Sequence, residues 1–365
     1  MLTKLKDKIV VAMSGGVDSS TAAAILQKQN YQVIGITLQL YNHTEQQYGK
    51  TCCAGQDIYD AKVVAEQIGI PHYTIDYQDV FKKQVINNFT KSYIRGETPI
   101  PCVDCNQKVK FTDLLQLSKT LGAKSLATGH YVKKVKQKNE VMLYKGNDPV
   151  KDQSYFLFNT SKVQLDFLEF PLGNMTKAET RNIAKQYNLK TANKSESQNI
   201  CFVPDGDYAG LIKKLCPENH QSGDIVLSNG SIIGKHQGII HYTVGQRRKI
   251  GISSLKPLYV LKIIAKENKI VVGPKEELMS KTFIVKDLNW LLDDDLLNNE
   301  IQCNVKIRSQ HPEIAATVKY LTKGFAKIIL KDVCYGVSPG QACVMYDNGR
   351  VLGGGWITDK IDEKY

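Results

Sequence analysis

The run Ser14-Gly-Gly-Val-Asp-Ser-Ser20 constrains this chain more than any other, because it sits between an apolar stretch at Ile9–Met13 and an alanine-rich one at 22–24. Adjacent glycines let the backbone turn tightly, so that successive amide N–H groups and the start of the next helix face one anion. Ser14, Ser19 and Ser20 add hydroxyl donors. Asp18 is placed to cap the helix or to help hold a metal ion on bound phosphates. The Gly-Lys-Ser/Thr ending and longer spacing of a Walker loop do not occur.

Strands are predicted at Ile9–Met13, Gln32–Leu40, Pro71–Ile75 and Ser125–Thr128, and helices over Asp18–Gln29, Asp57–Ile68, Asp79–Ser92 and Gln107–Leu121. Strands spaced by single helices imply right-handed crossovers and a doubly wound parallel sheet buried on both faces. After about residue 205 the texture changes to short β-rich runs, Gly223–Ser228, Ser231–Gly234 and Tyr259–Ile264, between Gly and Asn turns. From about 282 the strands lengthen: Ile301–Ile307, Glu313–Tyr320, Ala326–Leu330 and Ala342–Tyr346. The expected fold is therefore α/β: a Rossmann-like parallel-sheet domain at 1–205, a small mixed β-rich domain at 206–280, and an antiparallel β-barrel-like domain at 281–365. Asp293-Asp294-Asp295 reads as a solvated loop.

An apolar content of 42% with 23% charged residues excludes extended disorder and collagen-like or coiled-coil chains. No apolar run approaches the ~18 residues of a spanning helix. The start, Met1-Leu-Thr-Lys-Leu-Lys-Asp-Lys-Ile9, lacks the apolar core of a signal peptide. A soluble, cytoplasmic chain with no membrane partner is expected, and in that reducing setting nine cysteines are not a disulfide framework. Basic residues outnumber acidic ones by 48 to 36, a net +12, yet six of the 48 are arginine, which codon bias towards lysine explains. The excess is uneven: residues 101–150 carry nine basic and four acidic groups, 301–350 seven and three, and 251–300 seven and eight. Two basic zones suit a polyanion gripped at two places; a solvated lysine-rich surface is the alternative.

Two cysteine segments follow. Cys102 and Cys105 form a CxxC in Thr98-Pro-Ile-Pro-Cys-Val-Asp-Cys105, just ahead of the helix predicted from Gln107, whose dipole would lower a thiol pKa. Redox or nucleophilic chemistry, a buried structural pair and a metal site are all open here. A metal would need a second pair, and adjacent Cys52-Cys53 is awkward for that. Cys201 lies between Ile200 and Phe202 in an otherwise polar stretch, which suits either a core thiol or, beside an ATP site and a CxxC, a sulfur carrier.

SGGVDS is similar to the signature of the PP-loop ATP pyrophosphatases, which bind ATP on a doubly wound sheet and cleave it between the α and β phosphates. Across nearly its whole length the chain resembles one branch of them, the tRNA-specific 2-thiouridylases of the MnmA type. The matching blocks are AMSGGVDSS at 12–20, CC and DIYDAKVVAEQIGIPHY at 52–73, TPIPCVDCNQKVKF at 98–111, ATGHY at 127–131, KDQSYFL at 151–157 and FPLG at 170–173. They continue with SQNICF at 197–202, GDIV at 223–226, GKHQG at 234–238, YTVGQRR at 242–248, SPGQACVMY at 338–346 and LGGGWI at 352–357.

The resemblance implies ATP-dependent 2-thiolation of the wobble uridine of tRNA. Ala12, Met13, Ser14, Gly15, Gly16, Val17, Asp18, Ser19, Leu38 and Gly129 would line the ATP site. Cys201 would carry sulfur as a persulfide, and Cys105 would be the partner thiol, the two ending as a transient disulfide. Release of hydrosulfide by Cys105 is the other route. Ile100, Pro101 and Cys102 match the segment that touches the target base, and Lys151, Asp152 and Gln153 a tRNA-contacting segment. Arg308 and Ser309, read as lying on a strand, match a tRNA-contacting pair, and Arg247 and Arg248 suit phosphate equally well. ATP with Mg2+ is implied, without a tightly bound metal. The implied partners are tRNA and a persulfide donor, either a cysteine desulfurase or a relay protein; a monomer is allowed.

Three departures stand out. Ile100 replaces a usual Asn, Glu196-Ser-Gln-Asn199 a usual Asp-Ser-Gln-Glu, and Lys249 a usual Gly. Two rival functions are another PP-loop synthetase, which has no use for the two cysteines, and a non-catalytic sulfur carrier, which has none for an intact SGGVDS.

Overall fold

A computed structural model describes residues 6–41, 53–138, 140–196, 199–203, 205–217, 221–292, 300–321 and 324–359. The acidic run at 293–295, Cys52 and the side chain of Cys53 lie outside the described residues, as do Ser197 and Gln198. The chain's internal contacts separate into two compact units. One takes the described residues of 1–85, 102–205 and 348–351, the other those of 86–101, 206–347 and 352–365.

The first unit is built on a parallel sheet. Its strands are β1 (Lys8–Ala12), β2 (Gln32–Gln39), β3 (His72–Asp76), β4 (Ser125–Ala127) and β7 (Leu168–Glu169), in spatial order β3-β2-β1-β4-β7. Val10 pairs with Ile34 on one side and Leu126 on the other, so β1 is central. A two-stranded ribbon, β5 (Val132–Gln137) and β6 (Glu140–Lys145), also belongs here, with Arg350 pairing with Tyr144. The crossovers are α1 (Val17–Lys28) and α2 (Cys53–Ile68), and the small residues Ala22, Ala23 and Ala24 are fully buried in α1. Side chains that short let the helix lie close against Ile9, Val11 and Met13.

Downstream come α3 (Gln78–Phe81), α4 (Asn87–Ile94), which belongs to the second unit, α5 (Pro101–Asp104), α6 (Leu115–Thr120), α7 (Lys162–Phe167) and α8 (Lys177–Gln186). The helix expected over Asp79–Ser92 is interrupted by a π-helical turn at Lys82–Ile86. The helix expected from Gln107 begins six residues earlier, at Pro101. Its fixed φ and missing N–H suit a first helical position. Cys105–Leu114 within that run is π-helical, a form that gathers at functional sites. The CxxC thus lies inside a helix and not ahead of one. The capping box Thr176-Lys-Ala-Glu179 starts α8, which packs on α1.

In the second unit α9 (Tyr208–Leu215) precedes a mixed sheet of β8 (Gly223–Leu227), β9 (Ile232–His236), β10 (Tyr259–Ile264) and β11 (Lys269–Gly273), ordered β10-β11-β8-β9 with β8 and β11 parallel. Then come β12 (Met279–Trp290), β13 (Ile301–Lys306), β14 (Ile314–Tyr320), β15 (Ala326–Tyr335), β16 (Ala342–Asp347) and β17 (Arg350–Thr358). They run in the order β12-β15-β14-β13-β16-β17, and β12 pairs again with β17, closing a six-stranded antiparallel barrel. Closure leaves no open edge around Val285, Val305, Ile328, Met345 and Ile357. The sequence reading placed no strand at β5, β6, β7, β11, β12 or β17, and the last two are the ones that close the barrel. Among the described residues no helix is long and apolar enough to cross a membrane.

Candidate active site

The loop after β1 sits at the carboxyl edge of the parallel sheet, where open α/β sheets bind ligands. Ala12 pairs with Ile36, so Leu38 lies two residues further along β2 at that same edge. Gly15 has φ 73°, and a Cβ there would run into the backbone carbonyl of Asp57 in α2. The Ser14 N–H donates to Ser19 Oγ at 3.1 Å, and the two hydroxyls stand 3.3 Å apart. Gly129 presses on the start of α1, where an added Cβ would stand 2.7 Å from the Ser19 nitrogen. The residues expected at the ATP site are therefore contiguous. Gly16 is the N-cap without any side-chain cap bond, so Asp18 does not cap the helix.

Asp18 is instead the acceptor of three bonds. Lys177 Nζ reaches its two oxygens at 2.7 and 2.8 Å, and the Tyr131 hydroxyl donates at 2.8 Å. Lys194 Nζ holds the Gly15 carbonyl at 2.9 Å together with Asp57 at 2.7 Å and Asp60 at 2.5 Å. Neither lysine was singled out from sequence. Each lies more than 150 positions from its loop partner, and nothing in local spacing signals such a contact.

Cys102 is the second residue of α5 and is exposed, Cys105 opens the π-helical stretch and is buried, and Cys201 is exposed. Phe202 anchors the Cys201 segment, packing edge-on against Phe81 with ring centroids 5.7 Å apart. The three thiols lie within electrostatic reach of one another. Desolvation raises Cys102 and Cys105, and desolvation followed by the neighbouring Cys105 and Cys102 pushes Cys201 up to about 12. The expected lowering of the CxxC thiols by a helix dipole is thus overturned, because loss of water outweighs it. Lys110 opposes the trend at all three thiols and is held at 3.0 Å by Asn106 Oδ1. Among the described residues no group of three His, Cys, Asp or Glu side chains is placed to hold a metal ion.

The expected tRNA-contacting side chains are already engaged. Lys151 Nζ meets Glu196 at 2.6 Å. Asp152 accepts from the Gly146 N–H at 3.0 Å and the Ser154 hydroxyl at 2.8 Å, and Gln153 Oε1 accepts from the Tyr131 N–H at 3.0 Å. In the second unit, Thr98 is fastened to the Ser338-Pro-Gly340 turn: its N–H donates to the Pro339 carbonyl at 2.8 Å. That turn sets the chain leading into Ile100 and Pro101. Arg308 and Ser309 are not on a strand: β13 stops at Lys306, and the two lie in the turn closed by the His311 N–H on the Arg308 carbonyl. Arg308 donates to the Gly336 carbonyl at 2.6 Å, while Arg247 and Arg248 are exposed.

Lys249 has φ 61°, which accounts for the usual glycine there. Lys249→Gly is expected to raise the urea midpoint, a gain of about 0.5–1 kcal/mol from relieved left-handed strain; a lowered midpoint would refute that strain.

Three family models and a group of curated relatives match the chain. Residues 7–205 match the tRNA methyl transferase HUP domain, 210–274 the tRNA methyl transferase PRC-barrel domain, and 280–357 the aminomethyltransferase beta-barrel domain. The chain is 54% identical over 357 residues to the tRNA-specific 2-thiouridylase MnmA of Rickettsia massiliae (strain Mtu5), covering 97% of each chain. It is equally similar, 54% over 355 residues and 97% of each chain, to that of Rickettsia felis (strain ATCC VR-1525 / URRWXCal2).

Proposed function

The chain belongs to the family of tRNA-specific 2-thiouridylases, and from that premise we propose how its residues divide the work of thiolating the wobble uridine of tRNA. It is a sulfurtransferase. A urea-like carbonyl is a poor electrophile and oxide a very poor leaving group, so the oxygen has to be activated first. ATP binds at 12–19 with Leu38 and Gly129, its phosphates facing the loop amides and the start of α1. The uridine O2 attacks the α-phosphorus, pyrophosphate leaves, and C2 now carries an AMP leaving group. The terminal sulfur of a Cys201 persulfide attacks C2 and AMP departs. The Cys105 thiol then attacks Cys201 Sγ, the S–S bond to the base breaks, the thiol proton passes to the departing base, and 2-thiouridine is left beside a Cys105–Cys201 disulfide.

With both thiols raised, the resting cysteines are protonated at neutral pH, so the reactive species is the loaded persulfide. Magnesium arriving with ATP would neutralise phosphate charge, and the Asp18 carboxylate, a hard oxygen donor at the loop, suits it. Ile100, Pro101, Cys102, Lys151, Asp152, Gln153, Arg308 and Ser309 serve tRNA. We assign catalysis to 1–205, tRNA binding to 206–280 and the barrel to 281–365. A cytoplasmic thiol reductant opens the disulfide, and a persulfide donor then reloads the freed Cys201.

The observation that carries the reading is the gathering, within one unit, of a phosphate cradle and the thiols Cys105 and Cys201. Purified protein with unmodified tRNA, ATP, magnesium and a persulfide source is expected to give 2-thiouridine, AMP and pyrophosphate in equal amounts. Product formed without ATP, or pyrophosphate release that depends on a small amine acceptor, would overturn it.

A further inference from the structure

Lys177, Glu196, Arg181 and Lys194, none of which has a part in the thiolation steps, join Asp18 and Lys151 in a connected set of charges in the first unit. Lys177 Nζ lies between two carboxylates, Asp18 at 2.7 Å and Glu196 at 3.0 Å, with its side chain 12% exposed. Glu196 in turn meets Lys151 at 2.6 Å and Arg181 at 3.8 Å. Hydrogen bonding from Lys151, then from Lys177, holds the Glu196 carboxyl down to about 2 against its partial desolvation. Arg181 also grips the carbonyls of Ala192 and Lys194 at 2.9 and 3.0 Å, and Lys194 grips Gly15.

Residues 192–196 are therefore tied to the phosphate loop at two places, through Lys194 to Gly15 and through Glu196 and Lys177 to Asp18. Five residues beyond Glu196 is Cys201. Lys177 is the first residue of α8, its own N–H fixed on Asp148 Oδ2 at 2.9 Å, so its ammonium can swing while its backbone stays. A polyphosphate entering at the start of α1 brings several negative charges to within reach of an ammonium shared by two carboxylates. Competition for that ammonium follows from charge alone.

Building on the ATP-dependent reading, we propose that Lys177 contacts the nucleotide phosphates during adenylation, and that Glu196 is a positioning residue that transmits occupancy of the nucleotide site to the Cys201 segment. When Lys177 turns to phosphate, Glu196 keeps Lys151 and Arg181 but loses its link to the loop. The stretch 192–196, which leads to Cys201, is then held to the loop at one place, Lys194 on Gly15, in place of two.

Two readouts test this on the full chain. The first is the ATP KM for tRNA-dependent pyrophosphate release. The second is the rate of Cys201 alkylation by iodoacetamide, followed by peptide mass spectrometry, with and without α,β-methylene ATP. Lys177→Met is expected to raise the KM about tenfold, the loss of one charge-assisted contact, with Lys177→Arg restoring most of it. In the wild-type chain the nucleotide analogue is expected to change the alkylation rate by about threefold or more. In Glu196→Gln, which keeps the shape but replaces one of the two oxygens that accept from Lys151, Lys177 and Arg181 by an amide NH2, that response disappears while the KM stays within about twofold.

An unchanged KM in Lys177→Met, or a full nucleotide response in Glu196→Gln, overturns the proposal. Should Lys177→Met not fold, Lys177→Arg and Glu196→Gln still decide it. A wild-type chain that responds to the analogue at Cys201 yet yields no 2-thiouridine would count against the thiolation reading and leave the coupling standing.

Discussion

Cys105→Ala and Cys201→Ala each lose thiolation by on the order of 10^3-fold or more, while both continue to release pyrophosphate from ATP and tRNA. The two losses differ in kind. Without Cys201 there is no site for the persulfide, so labelled sulfur does not load onto the protein. Without Cys105 the sulfur reaches the base but stays joined to Cys201, and a protein–tRNA adduct that a reductant releases accumulates on a non-reducing gel. Cys105 is 9% exposed, and alanine fills most of the space of a thiol, so the fold survives the change. Cys201 is exposed and anchored through Phe202, so its replacement disturbs packing even less. Thiolation retained in both variants would sink the assigned division of labour.

Gly15→Ala gives the second large effect, on ATP use. Two independent costs fall on one atom: φ is 73°, where a Cβ is strained by about 1–2 kcal/mol, and the new Cβ would also occupy the Asp57 carbonyl. The loop cannot retreat, since its Gly15 carbonyl is held by Lys194, which Asp57 and Asp60 hold in turn. A displacement near 1 Å at a phosphate-binding loop costs about 10^2-fold in rate, and that is the drop expected in pyrophosphate release. Gly69→Ala is the control. Its φ is 70° but nothing lies within 4 Å of the added Cβ, so it costs stability and spares activity. Equal losses of activity in the two variants would show that backbone strain, and not the contact with α2, governs the site.

The strand–loop–helix at 8–28 was legible because its signals are local: two glycines, a short apolar strand and a run of alanines. The parallel order of the sheet followed from strands separated by helices. The start of the CxxC helix was misplaced because Pro101 reads as a break when it is in fact the first helical residue. The strand carrying Arg308 was drawn too long, since the apolar Ile307 continues the pattern past the point where pairing ends at Lys306.

The amino-acid sequence by itself determined the strand–loop–helix at Ser14–Ser20, the α/β-then-β order and, through the matching blocks, the family. Such features depend on φ requirements, periodicity and residue type over a few positions. Only the tertiary structure decided the desolvation that raises the thiols, the closure of the barrel by β12 and β17, and the partners of Asp18. Desolvation and Coulomb interaction depend on what the fold brings near, and the lysines that matter at the loop arrive from 159 and 179 residues away.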